Sequence, residues 1–189
     1  MPPAFYAGLK QTNMSDINQS LKKNNSFLFI LGTGLLVGTL DIATAFVDVY
    51  IASGSGPEGV LRYIASGVFG NDAFSGGQVM IAWGLFFHFV IAFAFTIFFY
   101  WLYPKVRAMR SYPIATGIIY AIFIWAITNR VVVPLSNTPP MGPFKLIRAL
   151  KAIAILSIMI GLPLSFIMKK HFKNKARVDE QPDDNFGFN

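Results

Sequence analysis

Three titratable side chains interrupt apolar stretches of this sequence, and they are its clearest candidates for chemistry. Asp41 and Asp48 fall within one such stretch, and His88 falls within the next. An acid and an imidazole held together in a low dielectric influence each other's protonation. Asp41 and His88 therefore indicate either a proton or ion site or, the interpretation we favour, structural groups that hydrogen-bond inside the protein.

A stripe of small and acidic residues recurs in the first apolar stretch at intervals of four, three, four and three. Its members are Gly34, Gly38, Asp41, Ala45 and Asp48. This spacing keeps them on one side of an α-helix. Small residues let helices approach closely within a membrane, and an acid facing lipid is costly. We therefore expect the stripe to face protein or a water-filled cavity.

Small residues in two other stretches predict further helix contacts. Gly84 lies one turn before His88 in the second apolar stretch. Ser157, Gly161 and Ser165 recur every four residues in the last one. We expect these residues to pack helices against one another, and the small-residue stripes to be able to mediate a homo-oligomer.

The remaining polar candidates include bases expected on one side of a membrane, where five Lys and Arg accompany four acids. This near balance predicts intramolecular ion pairs, with Arg130 or Arg148 as the partner of Asp48. Lys145 and Lys151 are expected either to pair in this way or to reach lipid phosphates. A pocket for an anionic ligand is an alternative. The candidate intramembrane polar network consists of Asp41, Asp48, Arg62, His88, Asn129, Arg130 and Arg148.

Several kinds of catalytic and metal chemistry are excluded by residue types. The chain contains no cysteine, which excludes disulfides, thiolate metal sites and cysteine nucleophiles. One histidine in an apolar stretch with two aspartates lacks the short ligand spacings of a zinc site. No phosphate-binding loop, serine-hydrolase elbow or dinucleotide fingerprint occurs. We therefore expect no catalytic residue, no metal and no cofactor.

Composition identifies the environment in which these residues must be positioned. Of 189 residues, 54% are hydrophobic and 13% are charged, and the mean hydropathy is +0.51. A soluble domain carries about 25% charged residues. Half that charge cannot cover a surface that faces water, so the sequence predicts a polytopic membrane protein.

The predicted fold class is all-α, an integral membrane four-helix bundle with a short interfacial helix between spans 1 and 2. That helix covers Glu58–Phe69, where apolar residues recur at helical spacing between glycines. Residues 1–26 form a polar N-terminal tail, and residues 169–189 form a disordered C-terminal tail. The transmembrane domain, 27–168, has spans of about 27–50, 79–103, 112–133 and 152–168.

The distribution of basic residues predicts orientation and partners. Eleven Lys and Arg lie on the side of both termini and five on the other, which places both termini in the cytoplasm. Lys22-Lys23 before an apolar stretch also resembles a signal peptide, but Asp41 argues against cleavage. The excess of positive charge predicts contact with the lipid bilayer and its anionic headgroups, and no nucleic acid.

Five short segments carry a resemblance to known proteins: Gly38–Ala43, Val60–Gly67, Gly84–His88, Pro134–Ser136 and Gly161–Pro163. Most of residues 30–168 resembles small four-span bacterial inner-membrane proteins and, more distantly, the YagU-like group. Similar sequences often carry a histidine near the start of the last span, where this chain has Arg148 and Lys151. The resemblance implies an inner-membrane protein and adds no reaction.

The sequence thus leaves three functional hypotheses. We favour a non-enzymatic membrane protein in which the polar network packs the bundle. The alternative is a small oligomeric transporter or proton-coupled channel in which Asp41 and His88 titrate. An enzyme acting on lipid or envelope precursors is the third, although the chain offers it no recognisable nucleophile.

Overall fold

The structure of the chain is a computed structural model, and it describes residues 3–140, 142 and 144–180. Within these ranges, all regular secondary structure is helical. The helices that contribute to the four apolar spans are α1 (Pro3–Ser53), α4 (Gly77–Leu102), α6 (Pro113–Ile127), α7 (Val133–Leu135), α8 (Leu146–Leu156) and α9 (Leu162–Glu180). The helices between spans are α2 (Pro57–Phe69), α3 (Asp72–Ser75) and α5 (Arg107–Ser111).

Four stretches of the described chain are long and apolar enough to cross a membrane. They are Ser26–Ser53, Gly77–Leu102, Pro113–Leu135 and Leu146–Arg177. The all-α four-span bundle predicted from the sequence is therefore confirmed, and the predicted short helix between the first two spans is α2. We call the end of the bundle that carries α2 the α2 end, and the end that carries α5 the α5 end.

The third and fourth spans each contain one π-helical turn, π1 (Thr128–Val132) and π2 (Ser157–Gly161). Both turns lie just before a proline, Pro134 and Pro163 respectively. Proline has no backbone N–H and its ring crowds the preceding turn. The widened turns let each span continue through its proline.

Glycines set the closest approaches between helices. A Cβ atom at Gly84 would overlap the backbone of Leu61, so the missing side chain lets α2 lie directly on α4. A Cβ atom at Gly161 would overlap the backbone of Gly117, which brings the third and fourth spans equally close. On α1, Gly34 faces the ring of Phe93. These glycines face neighbours within one chain.

The other predicted packing residues differ in what they contact. Gly38 lies against α4, next to Phe89. Ser165 donates its hydroxyl hydrogen to the Pro113 carbonyl at 2.8 Å and so joins the fourth span to the third. Ser157 instead donates within its own span, at 2.7 Å from its hydroxyl to a carbonyl oxygen one turn earlier. Ala45 lines a cavity.

The largest hydrophobic core fills the α5 half of the bundle. Tyr120 stands in it, and its hydroxyl donates to the Phe95 carbonyl at 2.6 Å. Aromatic rings pack around this bond, and Phe99 lies edge-to-face with Tyr120, with ring centroids 4.5 Å apart. The buried members of this cluster are Val37, Phe99, Tyr103, Met109, Tyr120, Ile124, Ile160, Leu164 and Met168. We call this set the core cluster.

Helix α1 begins at Pro3 and α9 extends to Glu180. The described parts of the segments interpreted as tails, 1–26 and 169–189, are therefore helical. No glycine or proline occurs between Leu9 and Leu31 or between Leu164 and Glu180. Without such residues, each helix gains one hydrogen bond for every residue it adds beyond the apolar span. Residues 181–189 lie outside the described residues.

Candidate functional site

A cavity of about 550 Å³ lies among the four spans. On α1 its wall runs from Val37, at the middle of the span, to Ala52, which is exposed at the α2 end. Val37, Ile124 and Ile160 belong both to this wall and to the core cluster, so the cluster forms the cavity floor. The charged and amide side chains in the wall are Asp41, Asp48, His88, Asn129, Arg148 and Lys151.

His88 is held in place by the backbone of the first span. Its side chain is buried, and Nε2 lies 2.8 Å from the carbonyl oxygen of Gly38. A carbonyl oxygen can only accept, so Nε2 carries the hydrogen and donates it. Position 38 lacks a side chain and lets Phe89 and Ala92 of α4 approach closely. The small-residue stripe thus brings the imidazole to the centre of the bundle.

Asp41 lies in the same wall, one helical turn from Gly38. Three residues correspond to a rise of about 4.5 Å along α1, and Asp41 and His88 line the same cavity. The Asp41 side chain is half-buried. It makes no hydrogen bond or salt bridge with any residue in the described part of the chain. An acid near mid-membrane therefore faces the cavity without a fixed partner.

The acid nearer the α2 end, Asp48, forms an ion pair with Lys151 of α8. The prediction that Arg130 or Arg148 would be its partner is therefore wrong. The fourth span turns Lys151 toward α1, and Arg148 lies one turn closer to the α2 end of the cavity. Arg148 forms no salt bridge with any of the described residues. The outer part of the cavity thus carries one neutralised pair and one additional cation.

Two of the seven residues predicted to form a polar network lie elsewhere. The Arg62 guanidinium donates to the Phe74 carbonyl at 2.7 Å and ties α2 to α3. Arg130 is exposed, and its guanidinium lies 5.2 Å from the centre of the Phe144 ring. The structure brings Asp41, Asp48, His88, Asn129 and Arg148 around one cavity.

Asn129 lies in the wall but does not bind another span. Its amide nitrogen donates to the Trp125 carbonyl at 2.9 Å, one turn earlier in the same span. Trp125 and Phe95 also line the cavity, so its wall contains two aromatic residues besides its polar groups. The wall is otherwise largely aliphatic.

Sequence reasoning left open whether Lys151 would pair with an acid or reach lipid phosphates, and it did not single out Gly117, which also shapes this region. Lys151 follows Arg148 by three residues, and that spacing places both on one helix face. Gly117 is the one glycine between residues 112 and 133, and this is the signal that could have identified it as a site of close helix approach. Its partner Gly161 was visible because it belonged to a periodic stripe.

The cavity has Asp41 and His88 in its wall, and it has the Asp48–Lys151 ion pair and Arg148 nearer the α2 end. The described residues contain no group of three or more His, Asp or Glu side chains that could hold a metal ion. The arrangement can instead hold a proton on Asp41 or place a positive charge beside the Asp41 carboxylate. Comparison with family models, curated proteins and solved structures finds no match to this chain.

Proposed function

We propose that this protein is a small proton-coupled membrane transporter whose ligand cavity is centred on Asp41 and His88. One observation carries the proposal. The Asp41 carboxylate faces a cavity of about 550 Å³ without a hydrogen bond to any described residue, beside a histidine held by the neighbouring span.

An acid in this position needs compensation. A carboxylate removed from water is costly unless it is protonated, hydrated or paired with a cation. His88 lies in the same wall, and its bond to Gly38 uses Nε2 and leaves Nδ1 available. A cation arriving at Asp41 therefore competes with protons for the same site, which is the basis of proton-coupled exchange.

The wall also favours a class of ligand. Small-molecule cavities have volumes of about 300–1,000 Å³ and are mostly apolar with a few placed polar groups. Here the wall contains the Asp41 carboxylate, and the aromatic residues Trp125 and Phe95 beside it can attract cations. We infer that the ligand is an amphipathic organic cation, with its charge at Asp41 and its apolar part along the aliphatic wall.

Access is one-sided in this structure. The cavity reaches the α2 end, and the core cluster closes its floor. Transport therefore requires a second state in which the floor opens toward the α5 end. Both π turns contribute to the wall, π1 through Thr128 and Asn129 and π2 through Ile160. Single π-helical turns inside α-helices are frequent at functional sites, which supports a movement at these positions.

The proposed orientation of the chain determines the side of the membrane to which the cavity opens. With both termini in the cytoplasm of a bacterial inner membrane, the cavity faces the outside of the cell. Because its wall comes from one chain, the ligand site is complete in a single copy, and a homo-oligomer is not required to form it.

Flux measurements with purified full-length chain in liposomes test the proposal. We expect a pH gradient of either direction to drive ethidium across the membrane. We also expect an ethidium gradient to drive a proton flux, which an entrapped pH-sensitive dye reports. Asp41→Asn should abolish both fluxes. Glu58→Gln is the matched control, because Glu58 is an exposed carboxylate on α2 outside the cavity.

The result that overturns the proposal is equally concrete. Wild-type liposomes whose ethidium and proton fluxes equal those of Asp41→Asn liposomes would remove it. Equal loss of flux in Glu58→Gln would show that any lost carboxylate has the same effect and would remove the assigned role of Asp41.

A second candidate is the packing role that the sequence favours. The Asp48–Lys151 pair and the His88–Gly38 bond support it, because they join the first span to the fourth and the second. The two functions predict different effects of Asp41→Asn on the thermal unfolding midpoint in detergent. A structural acid makes the variant less stable, whereas a partnerless acid makes it equally or more stable.

A further inference from the structure

A second pocket, of about 490 Å³, lies at the α5 end of the bundle. It is formed by the end of α4, by α5 and by α9, and it is separated from the Asp41 cavity by the core cluster. Its wall contains four bases, Arg110, Lys169, Lys173 and Lys175, and no acid. These bases make no salt bridge with any described residue, so their charge is uncompensated there.

Tyr103 adds a neutral donor to this wall. The residue is 1% exposed. Its hydroxyl oxygen is buried and has no hydrogen-bond partner in the described chain. Buried polar groups of this kind are normally satisfied. A phenol is protonated at neutral pH and can donate to an anion. The ring is fixed by stacking on Phe172, with centroids 5.3 Å apart.

The pocket lies at the level where a bilayer exposes its headgroups. The second span ends at Leu102, one residue before Tyr103. Trp101 is at the same level, and the Lys105 ammonium lies 3.2 Å from the centre of its ring. Trp and Tyr concentrate at the membrane–water interface. The remaining wall residues, Pro104, Phe172 and Ala176, present an apolar surface beside the bases.

We propose that this pocket binds a phosphate-bearing anion, held by Arg110 and the α9 lysines and by a hydrogen bond from Tyr103. Arginine and lysine bind phosphate oxygens through charge-assisted hydrogen bonds. Basic pockets between membrane helices are suited to anionic lipid headgroups, whose acyl chains would follow the apolar surface beside the pocket. A free phosphate shares the same chemistry. The proposal is independent of the transport function.

Lipid titration of the purified full chain in a zwitterionic detergent tests the site. The midpoint of thermal unfolding is followed against phosphatidylglycerol, phosphatidylcholine and inorganic phosphate at constant ionic strength. We expect a saturable rise with phosphatidylglycerol and none with phosphatidylcholine. A response to phosphatidylglycerol that inorganic phosphate does not reproduce identifies the headgroup as ligand. An equal saturable response to inorganic phosphate identifies the free anion.

The chain supplies a charge-matched control. Arg110→Gln with Lys169→Gln should raise the half-saturating concentration at least about tenfold. Arg107→Gln with Lys170→Gln removes the same charge from the same two helices outside the pocket and should leave it unchanged.

Tyr103→Phe keeps the ring and all the charges. It should raise the half-saturating concentration about tenfold, the value of one hydrogen bond to a charged group. This variant provides the test if the double substitution at Arg110 and Lys169 does not fold. No saturable response to either anion, equal losses in both charge pairs, or unchanged binding by Tyr103→Phe would overturn the proposed site.

Discussion

His88 and Gly38 connect the first two spans through one buried hydrogen bond, 2.8 Å from the imidazole Nε2 to the carbonyl oxygen. The bond fixes the ring and its tautomer and leaves Nδ1 as the nitrogen that can gain a proton. It also places the imidazole one turn from the partnerless Asp41. One contact therefore serves both the architecture of the bundle and the chemistry proposed for its cavity.

The bond predicts a difference between two substitutions of His88. His88→Leu keeps an apolar side chain of moderate size but removes the donor, which should cost about 1 kcal/mol. In a chain of this length, that cost lowers the unfolding midpoint by about 2–4 °C. His88→Gln retains a donor of similar reach and should recover part of the loss. Thermal unfolding in detergent measures both, and a His88→Leu protein as stable as wild type would contradict the assignment.

The Asp48–Lys151 pair predicts coupling between the first and fourth spans. Both side chains are partly exposed, so each single neutralisation should cost about 0.2–1 kcal/mol. A double-mutant cycle with Asp48→Asn and Lys151→Gln should return a coupling energy of that size, and high salt should reduce it. The matched cycle pairs Asp48→Asn with Arg148→Gln and should return about zero. Equal coupling in the two cycles would argue against the specific pair.

The approach of α2 to α4 predicts that position 84 tolerates no side chain. Gly84→Ala would place a Cβ atom against the Leu61 backbone, and overpacking of this kind costs about 1–3 kcal/mol. Gly32→Ala is the control, because a Cβ atom at that helical position meets nothing within 4 Å. Unfolding midpoints compare the two variants. A Gly84→Ala protein that melts with Gly32→Ala would show that α2 is not held at this distance.

The absence of cysteine makes the proposed orientation directly testable. Ser55, in the turn after the first span, and Ser111, in the hairpin after the second, are both exposed and lie at opposite ends of the bundle. Single Ser55→Cys and Ser111→Cys variants can be labelled in intact bacteria with a membrane-impermeant maleimide. We expect Ser55→Cys to react at once and Ser111→Cys to react only after the membrane is opened. The reverse pattern would place the termini, and the base of the cavity, on the other side.

The course of the four spans is predictable because long apolar runs leave few alternatives. The stripe on α1 also carries local information, since Gly34 and Gly38 lie against aromatic rings of α4. The partner of Asp48, by contrast, is not predictable from the sequence pattern. Choosing Lys151 over Arg130 depends on the rotation of the third and fourth spans about their axes, which the π turns alter. The Arg62 contact was hidden for another reason, because its acceptor is a backbone carbonyl that carries no residue signature.

At Gly117 and Gly161 the backbones of the third and fourth spans are in direct contact, with no side chain between them. Elsewhere, interlocked side chains must exchange neighbours before one helix can turn against another. Two backbones in direct contact at glycines can change their relative orientation without that exchange. Gly161 is also the last residue of π2. We therefore expect the pair to act as a hinge: α8, on one side of π2, can tilt while α9, on the other side, keeps its contacts.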